Sequence, residues 1–499
     1  LRLNTLLLGK GEQQVHLNLK YANRHGLIAG ATGTGKTVSL MTLAEGFSRQ
    51  GVPVFITDIK GDISGLGVAG TPNDKLLQRA AEIGIEDYQT EANPVVCWDL
   101  AGEQGHPLRT TVSEMGPTLL GRILELNDTQ SSILDIVFQL ADDQGLLLLD
   151  LDDLRAMLNL VADERKEVSA KYGLISAQSL AAIQRSVLGL ERDGGKDFFG
   201  EPALQLEDLM RTNLQGRGII NLLAANKLIL TPSLYSSFLL WLLSELFENL
   251  PEVGDLDKPK LVFFIDEAHL LFEGCPASLL KRIEQIMRLI RSKGVGVYFC
   301  SQFPDDIPNE ILGQLGNRIQ HALRAYTPRD QKAVKTAAET FVPNPKLVVS
   351  EVISQLAVGE ALVSTLAEKG VPTMVERALI APPRCRMGPA SPEELSAIRT
   401  KSPIGGKYDT LINRESAYER LNQRHTEAAN GASSTKTANT PAAQETEQGW
   451  FSELIFGNKR RQGLAETLSK QAARTVGNQL GKQILRGLLG GILGKSTRR

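Results

Sequence analysis

Residues 30–37 read Gly30-Ala31-Thr32-Gly33-Thr34-Gly35-Lys36-Thr37, at the end of a short apolar run (26–30) and ahead of a helical stretch, Val38 to Arg49. Glycines let a backbone curl until several N–H groups face one point. The helix that follows adds the positive end of its dipole. Strand, glycine-rich loop and helix in this order make a phosphate cradle. In such a loop Lys36 reaches the β- and γ-phosphates of a nucleotide, and the Thr37 hydroxyl ligates Mg2+. With Val38, the whole stretch of Gly30, Ala31, Thr32, Gly33, Thr34, Gly35, Lys36 and Thr37 is the expected nucleotide-binding set. ATP and Mg2+ are the expected cofactors.

The strand before the loop implies a sheet, and the rest of the chain supplies it. Val52 to Ile59, Pro94 to Leu100, Gly218 to Leu223, Leu261 to Ile265, Gly296 to Cys300, Arg318 to Arg324 and Ala361 to Leu366 are apolar runs of strand length. Helical patterns separate several of them, including Ser233 to Leu250 and one from about Pro276 to Lys293. Strands alternating with helices predict an α/β fold around a mostly parallel, doubly wound sheet. From 109 to 210 leucines recur at helical spacing among charged residues, which predicts a helical insertion. The expected organisation is therefore residues 1–108 and 211–385 as two parts of one core, with 109–210 inserted. Residues 386–448 are expected as a linker, partly disordered, and 449–499 as a basic amphipathic C-terminal segment.

The run Leu-Val-Phe-Phe-Ile delivers Asp266 and Glu267 to the C-terminal end of its strand, where open α/β sheets bind ligands. Asp266 is the candidate Mg2+ ligand, and Glu267 the candidate base that orients and polarises an attacking water. An acidic start to a helix is the other reading of this pair. Gln302, at the end of the next strand, is the candidate γ-phosphate sensor, or else an amide capping a loop. Arg288, Arg291 and Arg318 are candidates for an arginine donated to a neighbouring subunit's site, with Arg318 preferred; a solvated charge is the alternative for each. Asp58, ahead of Lys60-Gly61-Asp62, reads equally as a nucleotide, magnesium or neighbour contact and as a plain turn.

The formal net charge is -2, so no global basic excess announces nucleic acid, although a local basic channel stays open. Cys97, Cys275, Cys300 and Cys385 have no metal or redox spacing and read as buried or semi-buried thiols of a reducing compartment. There is no apolar run of membrane-span length, and the opening Leu-Arg-Leu-Asn shows no signal segment, so a cytoplasmic location is expected. The tail after Trp450 carries Lys459, Arg460, Arg461, Lys470, Arg474 and Lys482 among recurring leucines. Docking on its own core or on a partner, nucleic acid and a membrane surface are its open readings.

Taken in order, these motifs resemble the HerA/FtsK group of RecA-like ATPases, and within it the bacterial YjgR-type branch of HerA-like proteins. The residues that carry the likeness are Arg24-His25 running into the phosphate loop, Ile-Thr-Asp58-Ile-Lys-Gly-Asp62, Ile-Asp266-Glu267-Ala-His, Cys-Ser-Gln302 and Gly-Asn-Arg318-Ile. The resemblance implies a RecA-like core whose phosphate-loop and acidic strands are separated by one other strand. It also implies a ring, expected as a hexamer, with ATP at subunit interfaces and double-stranded DNA as the substrate to be translocated. A nuclease is the kind of protein partner it suggests. ATPases of the same fold that remodel protein complexes, or that switch assembly state with nucleotide, are the alternatives.

Overall fold

The structure, a computed structural model, describes residues 4–254, 256–273, 275 and 277–434. Its strands are β1 (Thr5–Lys10), β2 (Gln14–Asn18), β3 (Gly26–Ala29), β4 (Val54–Asp58), β5 (Val95–Asp99), β6 (His106–Pro107), β7 (Ile220–Ala224), β8 (Leu261–Ile265), β9 (Val295–Ser301), β10 (Asn317–Gln320), β11 (Glu360–Ser364) and β12 (Glu376–Ile380). Among the described residues they form one sheet in the order β2-β1-β12-β11-β10-β3-β9-β8-β4-β7-β5-β6. The run from β10 to β6 is parallel throughout, and β11, β12, β1 and β2 extend it as antiparallel neighbours.

The parallel strands are apolar because both faces are covered. All residues of β3, β4, β5, β8 and β9 are buried. On one face, helix α1 (Lys36–Arg49) sets Leu40, Leu43 and Phe47 against Ile28, Ile56, Phe264 and Tyr298. The Phe47 ring lies edge-on to Tyr298 at 5.9 Å. On the other face sits helix Pro232–Asn249, buried from Leu234 through Leu246. It is apolar on every side because helices Val112–Ile123 and Ala277–Ile290 also pack on it. The stretch expected as a helical insertion holds helices Val112–Ile123, Asp128–Asp143, Leu151–Asp163, Arg165–Tyr172 and Ala177–Leu190. Side chains of Thr111, Asn127, Asp150 and Ser176 cap four of them by accepting a main-chain N–H of the first turn.

The chain divides into two units, Leu1–Arg420 and Leu421–Arg499. The basic tail at 449–499 lies outside the described residues. The stretch from 386, expected as the start of the linker, is instead packed within the first unit as far as 416. Tyr408 is fully buried and lies edge-on to Trp98 at 5.1 Å. Its hydroxyl donates to Asp208 at 2.5 Å and accepts from the Gln205 N–H at 3.1 Å. Lys407 donates to the same carboxylate, and Arg399 and His106 both contact Asp409. Burial alone would raise the Asp208 carboxyl, but Lys407, Tyr408 and Arg211 outweigh it and hold it below the usual range. The segment ties the β5 edge of the sheet to the end of the helical insertion. Its few anchors are matched to partners far away in sequence, so low apolar density made it read as linker.

Tyr408→Ala is expected to cost about 3–5 kcal/mol, through the cavity and the lost stacking. Tyr408→Phe should cost less, about 1.5–3 kcal/mol, because the hydroxyl's bond to the charged Asp208 and the one from the Gln205 N–H are both lost. Chemical denaturation of both variants checks this; equal, small losses would mean the segment is not part of the cooperative core.

Candidate nucleotide site

The phosphate loop, the Asp266–Glu267 pair and Gln302 follow the C-terminal ends of three parallel strands, β3, β8 and β9. β3 runs into the loop, with β9 beside it and β8 next, so Ala29 faces Ser301 and Ile265 faces Phe299 across the ladders. The Gly30 N–H donates to the Ser301 carbonyl at 3.3 Å, and the Ala268 N–H donates to that of Cys300 at 2.9 Å. One strand, β9, therefore separates the loop strand from the acidic strand, as the resemblance implied.

Glycine is required at both ends of the loop. Gly30 has φ +149°, and a Cβ there would sit 2.5 Å from His321 Cβ. Gly35 caps α1 at φ +114°, and a Cβ there would lie 3.3 Å from the Gly359 nitrogen. The N–H groups of Ala31 and Thr34 are used within the protein, by the carbonyls of Ala322 and Ala31. Those of Thr32, Gly33 and Gly35 meet no acceptor among the described residues. A ring of free N–H groups at a helix N-terminus fits a polyphosphate.

Lys36 is buried beneath this loop, its ammonium donating to the Gly30 carbonyl. Burial lowers its pKa, and the negative charge of Glu267 opposes the shift. His321, behind the loop, bonds Ser39 Oγ at 2.8 Å, and burial pulls its pKa down to about 4, so the ring is a neutral support.

Asp266 follows β8, and its N–H donates to Thr57 Oγ1 at 3.1 Å. Tyr235 donates to the same oxygen at 3.1 Å, so β4 and helix Pro232–Asn249 together fix the start of the acidic turn. Burial, then the neighbouring Glu267, pushes the Asp266 carboxyl up to about 7. Glu267 is buried with φ +46°, and its Oε1 accepts from the Lys60 ammonium. Burial alone would lower the Lys60 ammonium, but the hydrogen bond and charge of Glu267 outweigh it and raise it. Glu267 Oε2 is buried with no hydrogen-bond partner among the described residues.

Gln302 directly follows β9. The chain is pinned on both sides of it, because Ser301 Oγ and the Phe303 N–H both donate to Asp306, at 2.6 and 3.1 Å. Its own amide makes no hydrogen bond among the described residues. Asp58 accepts the N–H groups of Gly61 and Ile63 at 2.7 and 3.1 Å, so it builds the turn that carries Lys60, as the plain-turn reading had it. Burial raises its carboxyl to about 6. Cys97, Cys300 and Cys385 are buried free thiols, and Cys275 is half-buried.

Arg318 is a correction. Its guanidinium donates to the main-chain carbonyls of Leu312, Leu315 and Thr340 at 2.9, 3.0 and 3.2 Å, and it stands two residues before the end of β10. Three of its five N–H donors are bound to main-chain carbonyls of its own fold, which holds the side chain in place. Arg288 is an exposed partner of Glu284 at 2.7 Å. Arg318→Ala should lower stability by about 1–3 kcal/mol, because three buried carbonyls lose their donor. Turnover per folded molecule should stay unchanged; an inserted arginine would instead cost roughly a thousandfold in rate with no change in melting temperature.

Four contributors were not singled out from sequence: Lys60, Thr57, Tyr235 and His321. Lys60 stands in the sequence as one residue of the stretch from Asp58 to Asp62 with no role of its own, and His321 follows Gln320 without a motif. Only the register of the strands brings them in.

The family model for the helicase HerA-like C-terminal domain matches residues 4–498. Among solved structures, VirB4 of Thermoanaerobacter pseudethanolicus is similar at 16% identity and a TM-score of 0.49, over 79% of this chain and 98% of that one. The bacterial conjugative coupling protein TrwB, lacking its first 70 residues, is similar at 15% identity and 0.49, over 75% and 90%. TrwB in complex with ADP and Mg2+ is similar at 16% and 0.46, over 82% and 91%. Among curated proteins no relative matches. Membership rests on the match that runs nearly the whole length of the chain: this protein belongs to the helicase HerA-like C-terminal family and is a P-loop ATPase that uses ATP with Mg2+.

Proposed function

We propose that this protein is a ring-forming motor, expected as a hexamer, that couples ATP hydrolysis to movement along double-stranded DNA. The observation that carries the reading is the HerA-like helicase match over residues 4–498. The site on the C-terminal edge of the sheet supports the hydrolytic half.

In this reading the loop N–H groups of Thr32, Gly33 and Gly35 and the Lys36 ammonium hold the phosphates. Thr37 and Asp266 hold Mg2+, which neutralises charge on the phosphate oxygens. Glu267 takes the proton of the attacking water, and Gln302, adjacent to the loop through the β3–β9 pairing, senses the terminal phosphate. Water exclusion comes from the buried floor of the site, Cys300, Phe299 and Ile265.

Displacement of a third strand from a DNA triplex, followed with ATP and Mg2+, tests the motor. ATP-dependent displacement, absent for Lys36→Ala, is the expected result. Hydrolysis without displacement would leave the ATPase and move its work to a protein complex.

A further inference from the structure

Two features outside the reaction scheme, and one that touches it, stand out. A cleft of about 420 Å³ at the ends of β4, β7 and β5 is lined by Asp58, Ser64 and Arg399, but these side chains are already bound to main-chain groups of Gly61, Ala390 and Gly102. Val342 and Met374 are exposed apolar neighbours beside the antiparallel strands, with nothing to say what covers them. The third is the ion pair between Lys60 and Glu267, 207 positions apart, at the centre of the nucleotide site.

We propose that Lys60 is a positioning residue for the hydrolytic step: it anchors one oxygen of the Glu267 carboxylate so that the other oxygen is presented to the attacking water. The proposal rests on the reading of Glu267 as the base. Three observations carry it. Glu267 stands in the left-handed region at φ +46°, a conformation costly for a residue with a Cβ, so surrounding contacts over-determine its direction. Its two oxygens are unequal: Oε1 is taken by the Lys60 ammonium, and Oε2 is buried with no hydrogen-bond partner among the described residues. His269 Nδ1 lies 3.4 Å from Oε2 without the alignment of a hydrogen bond. Lys60, finally, is placed by a built turn, since Asp58, two residues before it, accepts the N–H groups of Gly61 and Ile63, which follow it.

The chemistry follows from that asymmetry. Water attacks the γ-phosphorus while its proton passes to Oε2. The bond from the γ-phosphorus to the bridging oxygen breaks, and ADP leaves with that electron pair. A carboxylate free to rotate would offer either oxygen in many directions; one tethered by a charge-assisted hydrogen bond offers Oε2 in one. The Lys60 side chain is 43% exposed, so the tether contributes to rate far more than to stability.

The test is steady-state hydrolysis by the full chain with Lys60→Met, Lys60→Arg, Glu267→Gln and the Lys60→Met/Glu267→Gln pair, with thermal melting as a check on folding. Lys60→Met should lower kcat roughly tenfold or more and leave KM for ATP within about twofold, since the loss falls on the chemical step. Lys60→Arg should recover most of the rate, because a guanidinium also grips a carboxylate. Adding Lys60→Met to Glu267→Gln should cost nothing further, the mark of two residues acting as one unit. An unchanged or raised kcat in Lys60→Met overturns the proposal, the raised case meaning that the pair holds Glu267 away from water. A KM that rises in step with the rate loss also overturns it, by placing Lys60 on the phosphates. Full turnover of Glu267→Gln would overturn the base itself. Normal Lys60→Met beside a dead Glu267→Gln overturns only the positioning role.

Discussion

Lys36→Ala should reduce ATP hydrolysis by about a hundredfold to a thousandfold, the loss expected when a preformed charge donor is removed from a developing anion. The lysine lies under the loop at the start of α1, and its ammonium is already at the Gly30 carbonyl, within the cradle formed by Thr32, Gly33 and Gly35. Burial lowers its pKa, and the charge of Glu267 opposes that shift, so the ammonium sits in a setting with little water around it. Electrostatic attraction is strongest in such a setting. The fold should survive the substitution. Truncation leaves one carbonyl without a donor, worth about 1 kcal/mol, and a shift of a few degrees in melting temperature. Isothermal titration with ATP and Mg2+, alongside turnover, separates lost binding from lost chemistry. Normal turnover would remove Lys36, and with it the loop, from the site.

Glu267→Gln should bind ATP as the wild type does and hydrolyse it about a hundred to ten thousand times more slowly, the range that positioned general bases contribute. The amide matches the carboxylate in shape and keeps the left-handed backbone at this position as it is. What it loses is the ability to take a proton and the charge that faces Lys60. Because the Lys60 side chain is half-exposed, the lost ion pair should matter little for stability. Such a variant should hold ATP rather than ADP, and trapped nucleotide analysed after rapid filtration measures that directly. Turnover at the wild-type rate would assign the base elsewhere.

How much of this was legible in the sequence depended on whether the information was local. The loop at 30–37 and the strand before Asp266 declare themselves, because each motif lies within a few residues and because strands buried on both faces are uninterrupted apolar runs, as in Leu-Val-Phe-Phe-Ile. Of the antiparallel extension only β11 was legible, as the run Ala361 to Leu366; β1, β2 and β12 were not. β2 and β12 keep polar and charged residues among their apolar ones, Gln-Val-His-Leu-Asn and Glu-Arg-Ala-Leu-Ile, since they are only partly covered. β6 is too short to leave a pattern. At the site, Asp266 and Glu267 could be named from their strand, whereas Lys60, Thr57 and Tyr235 arrive through the pairing of β4 with β8 and the packing of helix Pro232–Asn249. Arg318 shows the reverse error: a strand-end arginine looks available until the carbonyls of Leu312, Leu315 and Thr340 are seen around it. The segment 386–416 was misread for a related reason, because Tyr408 does there what a run of leucines does elsewhere.

Steady-state ATP hydrolysis with and without double-stranded DNA, at low and moderate salt and with Lys36→Ala as the control, tests the motor most directly. The account predicts that DNA raises the wild-type rate strongly, that salt weakens the stimulation as counterions compete for the phosphates, and that Lys36→Ala stays inactive throughout. Wild-type hydrolysis at one rate, whatever the DNA or salt, would contradict it.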